Sequence, residues 1–250
     1  MKKYNLGICS VSFRKHTPEE VIKAVADAGL DCIEWGSDVH APFDDDKRLY
    51  KIAELQEKYN IKCHSYGTYF HLMEDSLELL PAYIKAAKIL GASVLRLWCG
   101  TKGSNQYSDD EKKELICECK KAAQLAEESN VILCMENHPG SFTDTAESSL
   151  ELIESVNSQH FKMYWQTNIK GDVELALKEA KLLSPHTINI HVAWWLDSKH
   201  LPLSDGALVW EKYLREFSDE KCLLLEFIHD GKIESLPLEA QSLKSIVLKV

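Results

Sequence analysis

Apolar positions along this chain keep two rhythms that take turns. Short apolar runs, rich in Val, Ile, Leu, Cys and aromatic residues, predict strands. Each is followed by a stretch in which apolar residues return every three or four positions, as on one face of a helix. YNLGICSVSF (4–13) predicts the first strand. The helix after it opens at Thr17-Pro18-Glu19-Glu20, with a hydroxyl N-cap, proline at the first helical position and acids in the first turn. Ala28-Gly29 stops it, glycine being the usual residue past a helix end. Further strands are predicted at 31–36, 61–67, 92–100, 131–137, 161–168, 187–195 and 221–228. Helices are predicted at 44–60, 76–91, 108–130, 145–157, 172–184, 205–217 and within 233–250.

Strict alternation of strand and helix means parallel strands joined by helical crossovers. Eight such units in 250 residues match a single (β/α)8 TIM barrel, one domain spanning 1–250. An open doubly wound sheet is the alternative. It would place a glycine-rich phosphate turn after the first strand, and SVSFRKHTPEE has no glycine.

Composition narrows the partners. A formal charge of −10 argues against nucleic acid and against anionic lipid, both of which need clustered Lys and Arg; a small substrate, neutral or anionic, remains. No apolar run approaches membrane-spanning length. MKKYNLGICSVSFRK starts like a signal peptide, but Asn5, Ser10, Ser12 and Arg14 interrupt and end its apolar stretch, so a strand and a soluble, cytoplasmic protein are expected. Of eight cysteines, Cys9, Cys32, Cys63, Cys99, Cys134 and Cys222 lie in strand-like runs, where a reduced thiol behaves as a small hydrophobe.

Barrel chemistry gathers where strands end and βα loops begin. Four consecutive late strands close on Glu136, Gln166, His191 and Glu226, with parity that turns all four inward. A lone Glu at a strand end is more often solvated than a ligand. Four oxygen- or nitrogen-bearing groups at comparable depth are harder to dismiss, because crowded carboxylates repel unless a cation or proton intervenes. They point to one divalent metal or an acid/base site. Glu34 and His64 are expected across the mouth, as groups for substrate hydroxyls. Trp98 is the best pocket candidate among the strand-end tryptophans, which include Trp35, Trp165, Trp194 and Trp195; these rings also allow a homo-oligomer. Lys199 and His200 are loop candidates for substrate, although a solvated loop is the commoner role.

GLDCIEWG (29–36), ILGASVLRLWCG (89–100), MENHPGSFTDT (135–145), INIHVAWW (188–195), LPLSDGALVW (201–210) and LLLEFI (223–228), in this order, resemble the xylose isomerase-like barrels that include sugar-phosphate isomerases and ketose 3-epimerases. The resemblance implies one divalent cation on Glu136, Gln166, His191 and Glu226. It further implies an isomerase or epimerase passing through an enediolate, with Glu136 and Glu226 as the acid/base pair. An inosose-type dehydratase and a barrel that binds sugar without turning it over are the alternatives. Gln166 departs from the family's usual Asp and suits Mn²⁺ or Mg²⁺ ahead of Zn²⁺ or Co²⁺. Ile169 and Asp197 stand where related epimerases carry His and Arg, so no substrate is implied.

Overall fold

A computed structural model describes residues 4–217 and 221–250. Lys2 and Lys3, whose signal-like placement is noted above, lie outside the described residues. The strands are β1 (Asn5–Cys9), β2 (Cys32–Gly36), β3 (Lys62–Leu72), β4 (Val94–Cys99), β5 (Ile132–Glu136), β6 (Phe161–Gln166), β7 (Thr187–Val192), β8 (Trp194–Leu196), β9 (Lys199–Leu201) and β10 (Cys222–Leu225). Eight of them close a parallel barrel in the order β1-β10-β7-β6-β5-β4-β3-β2, while β8 and β9 form a separate antiparallel hairpin. The crossovers are α1 (Pro18–Asp27), α2 (Asp46–Tyr59), α3 (Leu80–Leu90), α4 (Asp109–Ser129), α5 (Ala146–Val156), α6 (Val173–Leu183), α7 (Ala207–Arg215) and α8 (Leu236–Val247). The chain folds as a single (β/α)8 barrel.

Local chemistry sets the boundaries. Thr17 and Glu20 form a reciprocal capping box on α1, and Ser108 and Glu111 do the same on α4. Asn60, Asn130 and Asn157 end α2, α4 and α5 in the left-handed conformation that asparagine tolerates. Among the boundaries that differ from expectation, three bear on the site. The first predicted strand stops at Cys9 and tightens into a 3₁₀ turn over Ser10–Phe13. β3 runs on to Leu72. The predicted strand 187–195 breaks after Val192, and the chain turns back through Asp197 and Ser198, both at positive φ, to make the hairpin.

Two packed layers result. Between sheet and helices lies the main apolar core, exemplified by Trp165, fully buried against Trp210, Tyr213 and Phe217 with ring centroids 5.4–6.0 Å away. Inside the barrel, a narrower column holds Cys9, Cys32, Val94, Cys134, Tyr164, Cys222 and Leu224. Its upper end is polar, and the site is built there.

Candidate active site

Alternation along each strand selects the residues that meet at the mouth. On β4 the inward set is Val94, Arg96 and Trp98; on β5 it ends in Glu136; on β7 it runs through Asn189 to His191. Glu226 stands one residue past β10, its amide donating to the Val192 carbonyl at 3.0 Å and so continuing the ladder. Phe227, at positive φ, then turns the chain away.

Arg96 lies at the floor, 3% exposed. Its guanidinium pairs with Glu136 through Nη1 and with Glu34 through Nε, the latter at 3.5 Å. Glu136 Oε2 also accepts from the Trp98 indole N–H at 2.6 Å, and that ring covers the guanidinium at 4.6 Å. The other Glu136 oxygen faces His191 Nδ1 at 3.1 Å, and Glu226 Oε2 approaches the same nitrogen at 3.4 Å. Beneath them Glu34 accepts from Ser65 at 2.8 Å and from the Tyr164 hydroxyl at 2.6 Å. Above opens a cavity of about 400 Å³ whose walls include Arg14, Tyr69, Trp98, His138, Gln166, Trp195 and Glu226.

Charges this deep settle one another. Burial opposes ionisation of Glu34, but the His191 and Arg96 charges and the Tyr164 hydroxyl outweigh it and hold the carboxyl at about 2. Glu136 is likewise driven below the ordinary carboxylate range, Arg96 and His191 overcoming its burial. Burial raises Glu226, and the neighbouring Glu136 and Glu34 charges add to that rise. On His191 burial disfavours the proton, yet Glu226, Cys9 and Glu136 hold it there well above the usual imidazole range.

The donor set fits a divalent cation. Glu136, His191 and Glu226 each offer an atom, all within 4.8 Å of one another. Gln166 spends its N–H on the Asn137 carbonyl at 2.9 Å, leaving the amide oxygen free to ligate. Charge supports the same conclusion: three carboxyls crowd this end of the barrel, and a divalent ion would offset their mutual repulsion. Buried His191 Nε2 and Arg96 Nε make no hydrogen bond and meet Glu34 Oε1 only as ion pairs, at 3.7 and 3.5 Å.

Of the residues singled out from sequence, Glu136, Gln166, His191, Glu226 and Trp98 come together at the mouth. Glu34 lies one layer below, bonded to barrel side chains and outside the cavity wall. His64 does not reach the mouth. The β2–β3 register shifts between Ile33 and Glu34, so Ser65 stands opposite Glu34, and His64 bonds Asn189 at 2.9 Å near the barrel base. His64 as a substrate contact is therefore corrected: it faces into the barrel, but at the base, too deep to reach the cavity at the mouth. Lys199 is exposed in the hairpin, and His200 stacks on Trp195 at 4.5 Å; neither lines the cavity. Trp35 and Trp165 are wholly buried, facing the helices rather than the mouth. Sequence reasoning missed Arg96, Tyr164, Arg14 and His138. Arg96 had a signal: a lone charge of inward parity inside the apolar run SVLRLWC.

Comparison with known proteins places this architecture. A 3-dehydroshikimate dehydratase of Bacillus anthracis is 24% identical over 174 residues, covering 64% of this chain and 60% of the relative's length. The crystal structure of a probable 3-DHS dehydratase from Bacillus anthracis, involved in petrobactin synthesis, superposes with a TM-score of 0.79 at 19% identity, covering 98% of this chain and 99% of that one. A D-psicose 3-epimerase crystallised with D-fructose gives 0.72 at 15% identity, covering 98% and 100%. At such identities the structural likeness speaks to fold. The model of the xylose isomerase-like TIM barrel family matches residues 22–246, and the chain belongs to that family.

Proposed function

We propose that the protein is a divalent-metal-dependent lyase that removes water from a small, carboxylated hydroxy-ketone. The observation that carries this reading is the unequal commitment of the groups around the cavity. Glu136 is tied to Arg96, Trp98 and His191, so it holds position. Among the described residues, the Glu226 carboxylate has His191 as its one ion-pair partner and is 16% exposed, so it is free to move a proton. His138, exposed on the same wall, gives its Nδ1–H to the Pro139 carbonyl at 2.7 Å and keeps Nε2 open. Glu226 and His138 follow strands three places apart in a ring of eight.

The balance closes with these two. Glu226 takes the proton next to the carbonyl, the released electron pair forms the new C=C bond, and the β-hydroxyl leaves as water with the Nε2 proton of a cationic His138. A cation on Glu136, Gln166, His191 and Glu226 would polarise the carbonyl and ease loss of the C–H proton. Arg14 at the lip, 41% exposed, supplies a cation for a substrate carboxylate, although Asp38 shares its charge at 2.6 Å. The substrate named for the Bacillus anthracis relative is a compound of this class.

An epimerase is the second reading. It is favoured by the near-symmetric approach of Glu136 and Glu226 to His191, at 3.1 and 3.4 Å, and by the fold likeness to the 3-epimerase. Incubating carboxylated hydroxy-ketones and ketoses with enzyme and Mn²⁺ in deuterated water distinguishes the two. Elimination predicts loss of water by wild type, no exchange in Glu226→Gln, and exchange without water loss in His138→Asn. Each lost step should slow by about 100-fold or more. Epimer formation that His138→Asn leaves intact would replace the lyase with the epimerase.

A further inference from the structure

The barrel has a second cluster of ligating side chains at its opposite end. Cys32 begins β2 and Cys222 begins β10, with β1 between them. The two thiols nevertheless meet, Sγ to Sγ, at 3.6 Å, each sulfur-bearing residue at most 3% exposed. They meet because β1 carries Gly7 at the crossing. A Cβ there would lie 2.5 Å from the Cys32 carbonyl and 2.7 Å from its sulfur. A ring nitrogen of His64, on β3, lies within 4.8 Å of both sulfurs. Beside them a basal cavity of about 540 Å³ opens, bordered by Asn5, Asp31, Cys32, Asn60, Lys62 and His64.

Hydrogen-bond direction fixes the state of that imidazole. Glu34 can only accept, so the Tyr164 hydroxyl donates to it. The Tyr164 oxygen in turn accepts from the Asn189 amide N–H at 2.6 Å, which turns Asn189 Oδ1 toward His64. An amide oxygen cannot donate, so His64 Nε2 carries the hydrogen at 2.9 Å and Nδ1 keeps its lone pair. This is the arrangement of a metal-binding histidine, with one nitrogen anchored and the other open.

The geometry points to a thiolate metal site at the barrel base, in which Cys32, Cys222 and His64 hold a zinc-like cation and the basal cavity leads to a fourth position. Two thiolates on tetrahedral zinc, with Zn–S near 2.3 Å, stand about 3.7–3.8 Å apart, close to the spacing already present. Two thiolates and a neutral imidazole cancel the charge of a divalent ion, so little uncompensated charge is buried. The donors are softer than those at the mouth, and the two sites would sort metals by that difference. Bound there, a cation would tie β2, β3 and β10 across the seam where the first and last barrel strands pair.

The test uses full-length protein with the mouth disabled by Glu136→Gln and Glu226→Gln. Titration with Cd²⁺ should give a thiolate-to-metal charge-transfer band that saturates at about one equivalent. X-ray absorption of the zinc-loaded form should show two sulfur neighbours at about 2.3 Å and nitrogen or oxygen at about 2.0–2.1 Å. Adding Cys222→Ser or His64→Ala should weaken binding by about 100-fold or more, while adding Cys9→Ser should leave the band intact. Absence of sulfur neighbours in zinc-loaded protein would overturn the site. So would a band that survives Cys222→Ser but vanishes with Cys9→Ser, or a Cys32–Cys222 disulfide in place of metal binding. The absorption measurement needs neither cysteine variant to fold.

Discussion

Arg96 shows what one residue is asked to do. Three acidic side chains crowd one end of a narrow barrel, and the Arg96 guanidinium lies among them, in contact with two. Buried ion pairs seldom add net stability over an apolar replacement, but removing one partner strands the other in a low-dielectric interior. Arg96→Met should therefore cost about 3–5 kcal/mol in urea unfolding measured with EDTA present, where no cation can take over. A loss under 1 kcal/mol would mean that the neighbouring carboxyls simply take up protons. Glu136, His191 and Glu226 were legible in the chain because each ends an apolar run with inward parity. Arg96 was legible only as a violation, a charge where the pattern wants Leu or Val. His64 was misplaced because parity gives the face a residue takes and not its depth; it points inward, but at the barrel base.

Elements were the easiest scale to read. Eight strand–helix units follow from periodicity, and caps such as Thr17/Glu20 and Ser108/Glu111 mark helix starts in the structure as they do in sequence. The β8–β9 hairpin escaped because Trp194 and Trp195 extend the apolar run of β7, while the reversal depends on Asp197 and Ser198 taking an uncommon backbone conformation. Helix α6 carries a testable defect. Glu179 is half-buried, and burial together with Glu147 and the N-cap Asp172 pushes its carboxyl up to about 7. A folded-state value above the unfolded one, about 4.3, means its contribution is complete below that value and is lost as pH rises through 7. Glu179→Gln should match wild type in thermal unfolding near pH 4. At pH 8 it should melt about 1–3 °C higher, a modest gain because solvent screens part of the effect. Equal melting temperatures at pH 8 would show that the carboxyl relaxes into water.

For the whole molecule, closure is the defining fact. Among the described residues no helix is long and apolar enough to cross a membrane. The strands form a ring in which every barrel edge is paired, which removes the exposed edges that invite association. A cation at the mouth would bind only this closed form, so it should stabilise the fold by mass action. At 100 times its dissociation constant, Mn²⁺ should add about 2.7 kcal/mol, raising the melting temperature by about 5–11 °C in a manner reversed by EDTA. Since His191 is held protonated without metal, protons compete with the ion, and the shift at a fixed Mn²⁺ concentration should be larger at pH 8 than at pH 6. An equal shift at both values would place the ion away from His191.

The pairing of β1 with β10 has a consequence for synthesis on the ribosome. Glu34 and Arg96 emerge early, whereas Glu226 arrives with the strand that shuts the ring. Until then a growing chain holds its buried cation and first acids in an open trough, without the last carboxylate beside His191. Chemistry at the mouth is thus withheld until β10 and the residue after it have emerged.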